Sequence, residues 1–408
     1  MEFKTMFILF AVLALVGFVL WKGPSNLNPF QSKNTSVANV VQPQIQETYQ
    51  PPPVVIQDTR NTRYGIEPGN LNFFTISTEP KIYKNIGAMM VKLAANKNGA
   101  QWSTIQPSRD VWNFANMDYF VNEWQKEGYE VVVVIRSDAG WAVKPVYRRN
   151  DFTKYGEKTS TAPFNMQDYS TYLNKIFERY DKNGIDDATE LINQIKYYQI
   201  EEEVSTERDF QGTKQEYETM LSTAYDLAKI HNASIITGGL NFFTMLDNST
   251  EMQPYQIDDT LAGFNNSDSK RLVNFTRTVL LSDKYDIIQV NHMGNYTSIT
   301  NIKTFINTEL FRYGIRDKQV WVSDYSAPYN EYDFPIPYEK EDYELELATS
   351  FYVLNNPSHP DYNATYEWYT QSQSSNLAKK MEYYNKNSFD KISICCIPAI
   401  ADVDVTLS

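Results

Sequence analysis

Histidine, cysteine and positive charge are all scarce in this chain. Among 408 residues there are 3 His and 2 Cys, and 50 acidic residues outnumber 37 basic ones, which gives a formal charge of −13. Nucleic-acid binding requires a basic face, so the charge balance argues against such a partner. Cys395 and Cys396 are neighbours and no CxxC pair occurs, so there is no His or Cys cluster with metal-site spacing, and we predict no metal and no cofactor.

Glycine-rich phosphate-binding motifs are absent as well. Neither a P-loop nor a GxGxxG turn occurs, so nothing in the sequence predicts a nucleotide site. What the chain has in abundance is apolar and aromatic side chains, at 42% and 14%, with 29 Tyr and 7 Trp. This composition is typical of a folded protein whose length suits one large domain or two ordinary ones.

The N-terminus is predicted to anchor the chain in a membrane. After a short tail, residues 1–4, residues 5–21 are uncharged and almost entirely apolar, and as a helix they measure roughly 25 Å. A cleaved signal peptide is the alternative, but no small-residue cleavage pattern follows the apolar run. We therefore expect a single-pass anchor in the cell membrane, with the rest of the protein facing outside.

Residues 22–62 differ in composition from everything that follows. They are rich in Asn, Gln, Ser and Pro and show no sustained periodicity. Such a segment is typical of an extended tether with polyproline character. We expect it to hold the domain formed by residues 63–408 away from the membrane.

Residues 63–408 alternate short apolar runs with amphipathic stretches, as repeated β-α units do. Runs such as VVVVIR at 131–136 are apolar on both faces, as buried parallel strands are. The predicted strands are 71–77, 88–94, 130–136, 195–203, 234–240, 286–292, 319–324 and 391–398. Eight strands with intervening helices predict an α/β fold of the (β/α)₈ TIM-barrel type, and a doubly wound open sheet is the alternative.

One helix is missing from this pattern. Only ten residues follow the last predicted strand, too few for the helix that should cover it. Either the tether or a protein partner covers that side of the barrel, or the strands are miscounted.

Two strand ends carry carboxylates that suit catalysis. In a barrel the catalytic side chains stand at the C-terminal ends of the strands. The fourth predicted strand ends in Glu201, Glu202 and Glu203, and the seventh ends in Asp324. Period-2 alternation places Glu201 and Glu203 on one face and Glu202 on the other, and like-charge crowding with Asp324 is expected to raise at least one carboxyl pKa. One protonated and one ionised carboxyl group form the pair that cleaves glycosidic bonds, although a run of acids at a strand end can also be merely solvated.

Seven segments of the chain form an ordered series of motifs. They are 99–114 (GAQWSTIQPSRDVWNF), 127–134 (EGYEVVVV), 140–142 (GWA), 197–204 (YYQIEEEV), 234–239 (SIITGG), 286–292 (DIIQVNH) with Tyr296, and 320–324 (VWVSD). Taken in order, these segments resemble the clan A glycoside hydrolases, which are retaining barrel enzymes. The resemblance covers about residues 87–401 and implies that Glu203 is the acid/base and Asp324 the nucleophile. The substrate it implies is a β-linked glycan.

The sequence departs from the clan pattern at three positions. Glu202 stands where the clan has the Asn that binds a sugar hydroxyl, Gln106 replaces a Glu, and the nucleophile position is Asp324 rather than Glu. The shorter Asp side chain widens a gap that retaining chemistry keeps near 5 to 5.5 Å. A barrel that kept its shape and lost its chemistry is therefore the alternative, serving as a glycan-binding or structural cell-surface protein. A third reading has the acidic mouth bind Ca²⁺ in a structural role.

Further substrate contacts are predicted around the barrel mouth. Each has a structural alternative, because aromatic residues beside strands also serve as packing and a buried His can simply be hydrogen-bonded. For Arg136, at the end of the third strand, an ion pair with the surrounding acids is favoured over a substrate contact. The predicted substrate-binding residues are Glu202, Trp102, Trp141, His292, Tyr296 and Trp321.

Overall fold

The computed structural model describes the compact unit Thr59–Ser408 in most of its length. The described residues are 62–68, 79–85, 87–94, 100–146, 160–242, 245–246, 250–292, 296–324, 353 and 356–395. The predicted anchor, residues 5–21, and almost all of the predicted tether lie outside them. Among the helices of these described segments, none is long and apolar enough to cross a membrane.

Parallel strands form a closed barrel. The strands are β1 (Tyr64–Glu67), β2 (Met90–Leu93), β3 (Glu130–Ile135), β4 (Tyr197–Ile200), β5 (Ser234–Ile236), β6 (Leu240–Asn241), β7 (Ile287–His292), β8 (Gln319–Asp324) and β9 (Lys391–Cys395). Their order is β5-β4-β3-β2-β1-β9-β8-β7-β6, and β5 also pairs with β7, which closes the ring. Because β5 and β6 are two parts of one interrupted strand, both pairing with β7, the ring has eight strands, which is the number that the sequence predicts.

Helices surround the barrel. They are α1 (Glu79–Asn85), α2 (Trp102–Ile105), α3 (Ala115–Lys126), α4 (Met166–Tyr180), α5 (Lys214–Ile230), α6 (Pro254–Gly263), α7 (Ser267–Ser282), α8 (Tyr296–Arg312) and α9 (Tyr362–Lys386). Local signals determine where they begin. Thr213 and Glu216 form a capping box at the start of α5, and the Asn165 side chain accepts from the backbone N–H of Gln167 at the start of α4.

Successive residues of each strand pack on opposite sides of the sheet. In β3, Val131, Val133 and Ile135 join the core between the barrel and its helices, whereas Val132 points into the barrel. The inner apolar cluster consists of Met90, Val132, Ile236, Ile287 and Trp321, with Tyr197 packed against it. Strands buried on both faces explain the continuous apolar runs of the sequence.

Further along the strands the barrel interior becomes polar. Lys92 on β2 forms a buried ion pair with Glu67 on β1, at 2.9 Å between Nζ and Oε2. The Ser323 hydroxyl on β8 lies 3.0 Å from Lys92 Nζ, 3.3 Å from Glu67 Oε2 and 2.9 Å from the hydroxyl of Ser393 on β9. This network joins four strands directly below the barrel mouth, and it places Ser323 next to Asp324.

One detail of the sequence prediction needs correction. The first barrel strand is Tyr64–Glu67, before the predicted segment 71–77, which lies outside the described residues. A short strand that begins with Tyr-Gly gives little apolar signal, which is why the periodicity favoured the later segment. The prediction about the helix after the last strand also falls outside the described residues, because these end at Cys395.

Candidate active site

The C-terminal ends of β4, β6 and β7 bring a set of polar side chains together at one rim of the barrel. Since all strands of the ring are parallel, their C-terminal ends face the same way. Glu203 follows β4, Asn241 ends β6, and Asn291 lies near the end of β7. All three are buried, with at most 5% of their surface exposed.

The strand period breaks at Glu201. This residue has φ +67°, a left-handed conformation that is unusual for a non-glycine residue, and it turns the chain immediately after β4. The prediction that Glu201 and Glu203 share a face was wrong for this reason. The Glu201 carboxylate accepts from the Ser137 backbone N–H at 2.8 Å, from the Ser137 hydroxyl at 2.5 Å and from the Ser160 hydroxyl at 2.6 Å. It is held by these serines, whereas the Glu203 carboxylate contacts the ends of β6 and β7.

Glu203 is a buried carboxyl group surrounded by donors. Its Oε2 accepts from Arg208 at 3.1 Å and from Asn241 Nδ2 at 3.2 Å, and its Oε1 accepts from Asn291 Nδ2 at 3.2 Å. Burial, assisted by the negative charge of Asp209, raises the pKa of Glu203 to about 7, while Arg208 and the two amides act in the opposite direction. At neutral pH the group is therefore divided between its acid and base forms, which suits a residue that must both give and take a proton.

The cause of the raised pKa differs from the sequence expectation. The sequence predicts that repulsion among the strand-end acids raises a carboxyl pKa, but burial is the largest effect for Glu203, and the like charge that contributes is Asp209. Burial also raises the pKa of Glu201 to about 7, against the hydrogen bonds from Ser137 and Ser160. The turn at Glu201 separates the neighbouring carboxylates and buries them in different places.

Two glycines allow this arrangement. A Cβ atom on Gly239 would lie 2.4 Å from Asn291 Nδ2, and a Cβ atom on Gly238 would lie 2.4 Å from a methyl group of Val204 and 2.8 Å from the Ile200 carbonyl oxygen. The Ile200 carbonyl belongs to the backbone, so position 238 requires glycine, whereas a Cβ atom at position 239 would displace the Asn291 amide. The Gly-Gly pair between β5 and β6 thus creates the space in which Asn291 reaches Glu203.

Glu202 points toward Arg136 at the end of β3. One Arg136 terminal nitrogen, Nη1, lies 3.7 Å from Glu202 Oε2. The Glu202 side chain is 23% exposed and that of Arg136 only 2%. Burial raises the pKa of Glu202, and the nearby Arg136 guanidinium opposes this increase. The predicted ion pair is therefore present, and it contributes to the lining of the mouth.

Asp324 is the last residue of β8. Its backbone is in register with His292 on β7 and with Ile394 on β9. The seventh strand of the ring therefore ends on the same rim as Glu203, and the role of Asp324 as nucleophile stays a prediction. The side chain of Asp324 lies outside the described part of the chain.

The structure favours packing for two of the three predicted Trp contacts. Trp102 is completely buried and stacks on Tyr172, with 4.9 Å between the ring centroids. Trp321 belongs to the inner apolar cluster below the polar network, with 2% exposure. Trp141 is different, because it is partly exposed, donates to the Gln106 carbonyl at 2.9 Å, and has the Arg109 guanidinium 5.4 Å from its ring centroid. It remains the predicted sugar-stacking residue.

His292 and Tyr296 lie toward the helix layer. The His292 nitrogens are hydrogen-bonded at 2.7 Å to the hydroxyl of Tyr384 on α9 and at 2.8 Å to that of Ser298 on α8. Tyr296 begins α8 and packs against Tyr383, with 5.0 Å between the ring centroids. These contacts favour the structural reading of His292, which the sequence left open.

The residues that sequence analysis missed are the partners of Glu203. Asn241, Asn291 and Arg208 carry no motif of their own, since each is brought to Glu203 by barrel closure or by the loop after β4. The sequence did contain one signal for Asn291. Gln289 and Asn291 alternate with apolar residues in the run IIQVNH, and they stand on the inward face of β7.

Three potential metal ligands come together away from the rim. Oxygen or nitrogen atoms of Glu178, Asp181 and His231 lie within 4.8 Å of one another, at the C-terminal ends of α4 and α5. Sequence spacing did not suggest this group. His231 Nδ1 contacts Asp181 at 2.8 Å, and Nε2 contacts Asn174 at 3.1 Å. Both ring nitrogens are already engaged by protein partners, so the group is well explained as a connection between two helix ends.

Comparisons with known proteins concern the fold. No protein-family model matches the chain, and no curated protein matches it by sequence. Among solved structures, a glucosidase from Croceicoccus marinus is similar with a TM-score of 0.50 and 13% identity, over 82% of this chain and 60% of that chain. A family 39 glycoside hydrolase from Bacteroides cellulosilyticus WH2 has a TM-score of 0.46 and 11% identity, over 82% and 56%. An endo-1,4-beta-D-mannanase from Thermotoga petrophila RKU-1 has a TM-score of 0.46 and 9% identity, over 82% of this chain and 88% of that chain.

These solved structures are glycoside hydrolases, and the likeness to the glucosidase shows that this chain has the same barrel fold. The fold implied by the sequence resemblance is therefore confirmed. The match spans 60% and 56% of the first two solved chains, so each of them contains a large part without a counterpart here.

Proposed function

We propose that the protein is a retaining glycoside hydrolase that acts on a β-linked glycan, with Glu203 as acid/base and Asp324 as nucleophile. The observation that carries this proposal is the environment of Glu203. A buried carboxyl group at the end of the fourth barrel strand has a pKa of about 7, and three donors hold it in place. A general acid that works at neutral pH needs such a pKa.

The two carboxyl groups divide the chemistry between them. Protonated Glu203 donates its proton to the glycosidic oxygen as that bond breaks, and ionised Asp324 forms a bond to the anomeric carbon. Glu203, now a carboxylate, then removes a proton from water, which attacks the anomeric carbon and releases Asp324. The two inversions retain the configuration. Asn241 and Asn291 keep the Glu203 carboxyl oriented through both steps because they donate to its two different oxygens.

The fold supports this proposal at a coarser level. Its similarity to glycoside hydrolases agrees with a glycosidase-like activity on a carbohydrate, and β-linkage and retention come from the sequence resemblance. A fold alone hosts many functions, so the residues of the site carry the argument.

Location is part of the proposal and comes from the sequence. Residues 5–21 would form the single membrane anchor, residues 22–62 the tether, and the barrel would face outside the cell. N-terminal sequencing of the mature protein tests the anchor, because an N-terminus near Lys22 would mean that the apolar segment is cleaved.

The hydrolase proposal is tested with a panel of aryl β-glycosides at pH 6. We expect the wild-type chain to hydrolyse at least one of them, and the Glu203→Gln chain to be slower by about 10²- to 10⁴-fold, the usual range for losing a general acid. Glu382→Gln, which changes an exposed residue on α9, is the matched control. Equal rates for wild type and Glu203→Gln would remove Glu203 from the mechanism.

The alternative function gives the opposite result in the same assay. A barrel that binds glycans without cleaving them would release no aryl group from any member of the panel. The contact between Arg208 and Glu203 favours this alternative, because a positive charge at 3.1 Å stabilises the carboxylate rather than the acid.

A further inference from the structure

Four neighbouring helices of the barrel end beside an exposed apolar side chain. Ile230 is the last residue of α5, and Leu281 and Phe311 are the residues before the last in α7 and α8. Ile185 lies in the connection that follows α4. The exposed fractions are 63% for Ile185, 74% for Ile230, 55% for Leu281 and 82% for Phe311. These four residues are named the apolar crescent.

Direct contacts join the helix ends that carry the apolar crescent. Asp181, which follows α4, lies 2.8 Å from His231, which follows α5. Ion pairs then join α5 to the connection after α7, and that connection to the one after α8. The pairs are Lys229–Asp286, Lys284–Asp226 and Lys318–Asp283. The four helix ends are therefore neighbours, and in each of the three pairs between α5, α7 and α8 an acid balances a lysine.

The apolar crescent lies at the end of the barrel that is opposite to the candidate active site. A helix that leads into a parallel barrel strand ends beside the N-terminal end of that strand, and α5, α7 and α8 lead into β5, β7 and β8. Glu203 and Asn291 lie at the C-terminal ends of their strands. A contact made through the crescent therefore leaves the barrel mouth open.

The chain that precedes the barrel joins it at the same end as the apolar crescent. β1 begins at Tyr64 and runs parallel to its neighbours, so residue 63 stands at the N-terminal end of the ring. Even as extended polyproline, a tether of about 40 residues spans only roughly 120 Å. An anchor at residues 5–21 would thus hold the barrel near a bilayer at a high effective concentration, where a weak contact is sufficient.

The chemistry of the apolar crescent suits the boundary between lipid headgroups and acyl chains. Ile, Leu and Phe side chains gain free energy by leaving water there, and lysines beside them extend their ammonium groups to the headgroups. A protein partner needs a closely packed, shape-complementary patch. Side chains that project from four separate helix ends fit a fluid surface better, so a lipid surface is favoured over a protein.

We propose that the apolar crescent is a lipid-contact surface, which enters the interfacial layer of a bilayer and turns the barrel mouth away from it. This surface goes beyond the proposed hydrolase activity. It rests on the proposed membrane anchor for the high local concentration of lipid.

Photoactivatable lipid provides the test. The full-length chain is reconstituted into phosphatidylcholine vesicles that contain phosphatidylcholine with a diazirine near its headgroup, and the labelled peptides are located by mass spectrometry after illumination. Peptides with Ile230, Leu281 and Phe311 should be labelled about 10-fold more than peptides with Phe164 and Tyr255. Phe164 and Tyr255 are 62% and 66% exposed but follow the C-terminal ends of β3 and β6, so they control for exposure alone.

Two double variants separate the crescent from the rest of the surface. Ile230→Asp/Phe311→Asp should lower the labelling of the Leu281 peptide by about 10-fold, because carboxylates oppose entry into the interfacial layer. Phe164→Asp/Tyr255→Asp is the matched control and should leave that labelling unchanged. Replacing about a fifth of the lipid by phosphatidylserine should change the labelling by less than about 3-fold, because the contact is apolar. Thermal unfolding checks that both double variants are folded.

Five outcomes overturn the lipid-contact surface. They are no association of the chain with the vesicles, equal labelling of both ends of the barrel, labelling confined to residues 5–21, labelling that depends on phosphatidylserine, and labelling that Ile230→Asp/Phe311→Asp leaves unchanged. Labelling of the crescent without labelling of residues 5–21 supports the surface and removes the anchor. Hydrolysis of aryl glycosides is measured in solution, so a failure of the hydrolase proposal is distinguished from a failure of this surface.

Discussion

Glu201 makes the stability of the barrel depend on pH. Its carboxyl group is 1% exposed, contacts Ser137 and Ser160, and has a pKa of about 7 against an ordinary 4.5. The native state therefore retains a proton that the unfolded chain releases above pH 4.5. The stabilisation associated with this proton is fully present below pH 4.5 and is lost as the pH rises through 7.

The magnitude follows from the two pKa values. At 1.36 kcal/mol for each pH unit over which only the native state holds the proton, the free energy of unfolding should fall by about 2.5 kcal/mol between pH 5 and pH 8 because of Glu201 alone. Glu201→Gln removes this dependence, since an amide can still hydrogen-bond to the serine hydroxyls but does not titrate.

The assay is urea unfolding at pH 5, 6, 7 and 8, monitored by tryptophan fluorescence. Wild type should lose about 2 to 3 kcal/mol relative to Glu201→Gln over this range. The exposed Glu382→Gln variant should track wild type within about 0.5 kcal/mol. A difference in unfolding free energy between wild type and Glu201→Gln that stays constant across the four pH values, or that grows in the opposite direction, would show that Glu201 does not hold a proton in the native state.

Three other predictions follow from contacts in the barrel. The kcat/KM of wild type should decline as the pH rises above about 7, because Glu203 must be protonated to act as the acid. Arg208→Gln should move this decline to higher pH, since the guanidinium lowers the pKa of Glu203. A decline at the same pH in Arg208→Gln would contradict the role of Glu203 as the general acid. Gly239→Ala should displace Asn291, reduce activity and cost about 1 to 3 kcal/mol of stability, and an unchanged urea midpoint would contradict this. Lys92→Met should cost about 3 to 5 kcal/mol by leaving Glu67 buried and unpaired, and the Lys92→Met/Glu67→Gln double variant should recover much of that loss in urea unfolding.

The strands of the barrel could be predicted from sequence because they are buried on both faces. The predicted strands 130–136 and 286–292 are continuous apolar or inward-polar stretches, and each differs from the observed strand, β3 or β7, by one residue at one end. The first strand, Tyr64–Glu67, was missed because it is short and begins with two residues of weak apolar character. Its position is set by pairing with β2 and β9, which is long-range information.

The candidate site could be predicted only in part, for a similar reason. Glu203 and Asp324 were chosen as candidates because strand ends in a barrel carry the chemistry and because the resemblance indicated which acids to choose, and their catalytic roles stay predictions. The left-handed turn at Glu201 and the contacts of Asn241 and Asn291 with Glu203 depend on backbone geometry and barrel closure, which periodicity does not contain. Trp102 and Trp321 show the converse, because residues of the right type next to strands are packed in the interior.

The most direct test of the central claim is to trap the covalent intermediate. The full-length chain is incubated with 2,4-dinitrophenyl 2-deoxy-2-fluoro-β-glycosides of glucose and xylose. The masses of the intact protein and of its proteolytic peptides are then measured by mass spectrometry. The retaining mechanism predicts a mass increase of one fluorosugar, located on the peptide that contains Asp324 and absent from Asp324→Asn. A stable adduct on any other carboxylate, in a chain that hydrolyses the corresponding aryl glycoside, would contradict it.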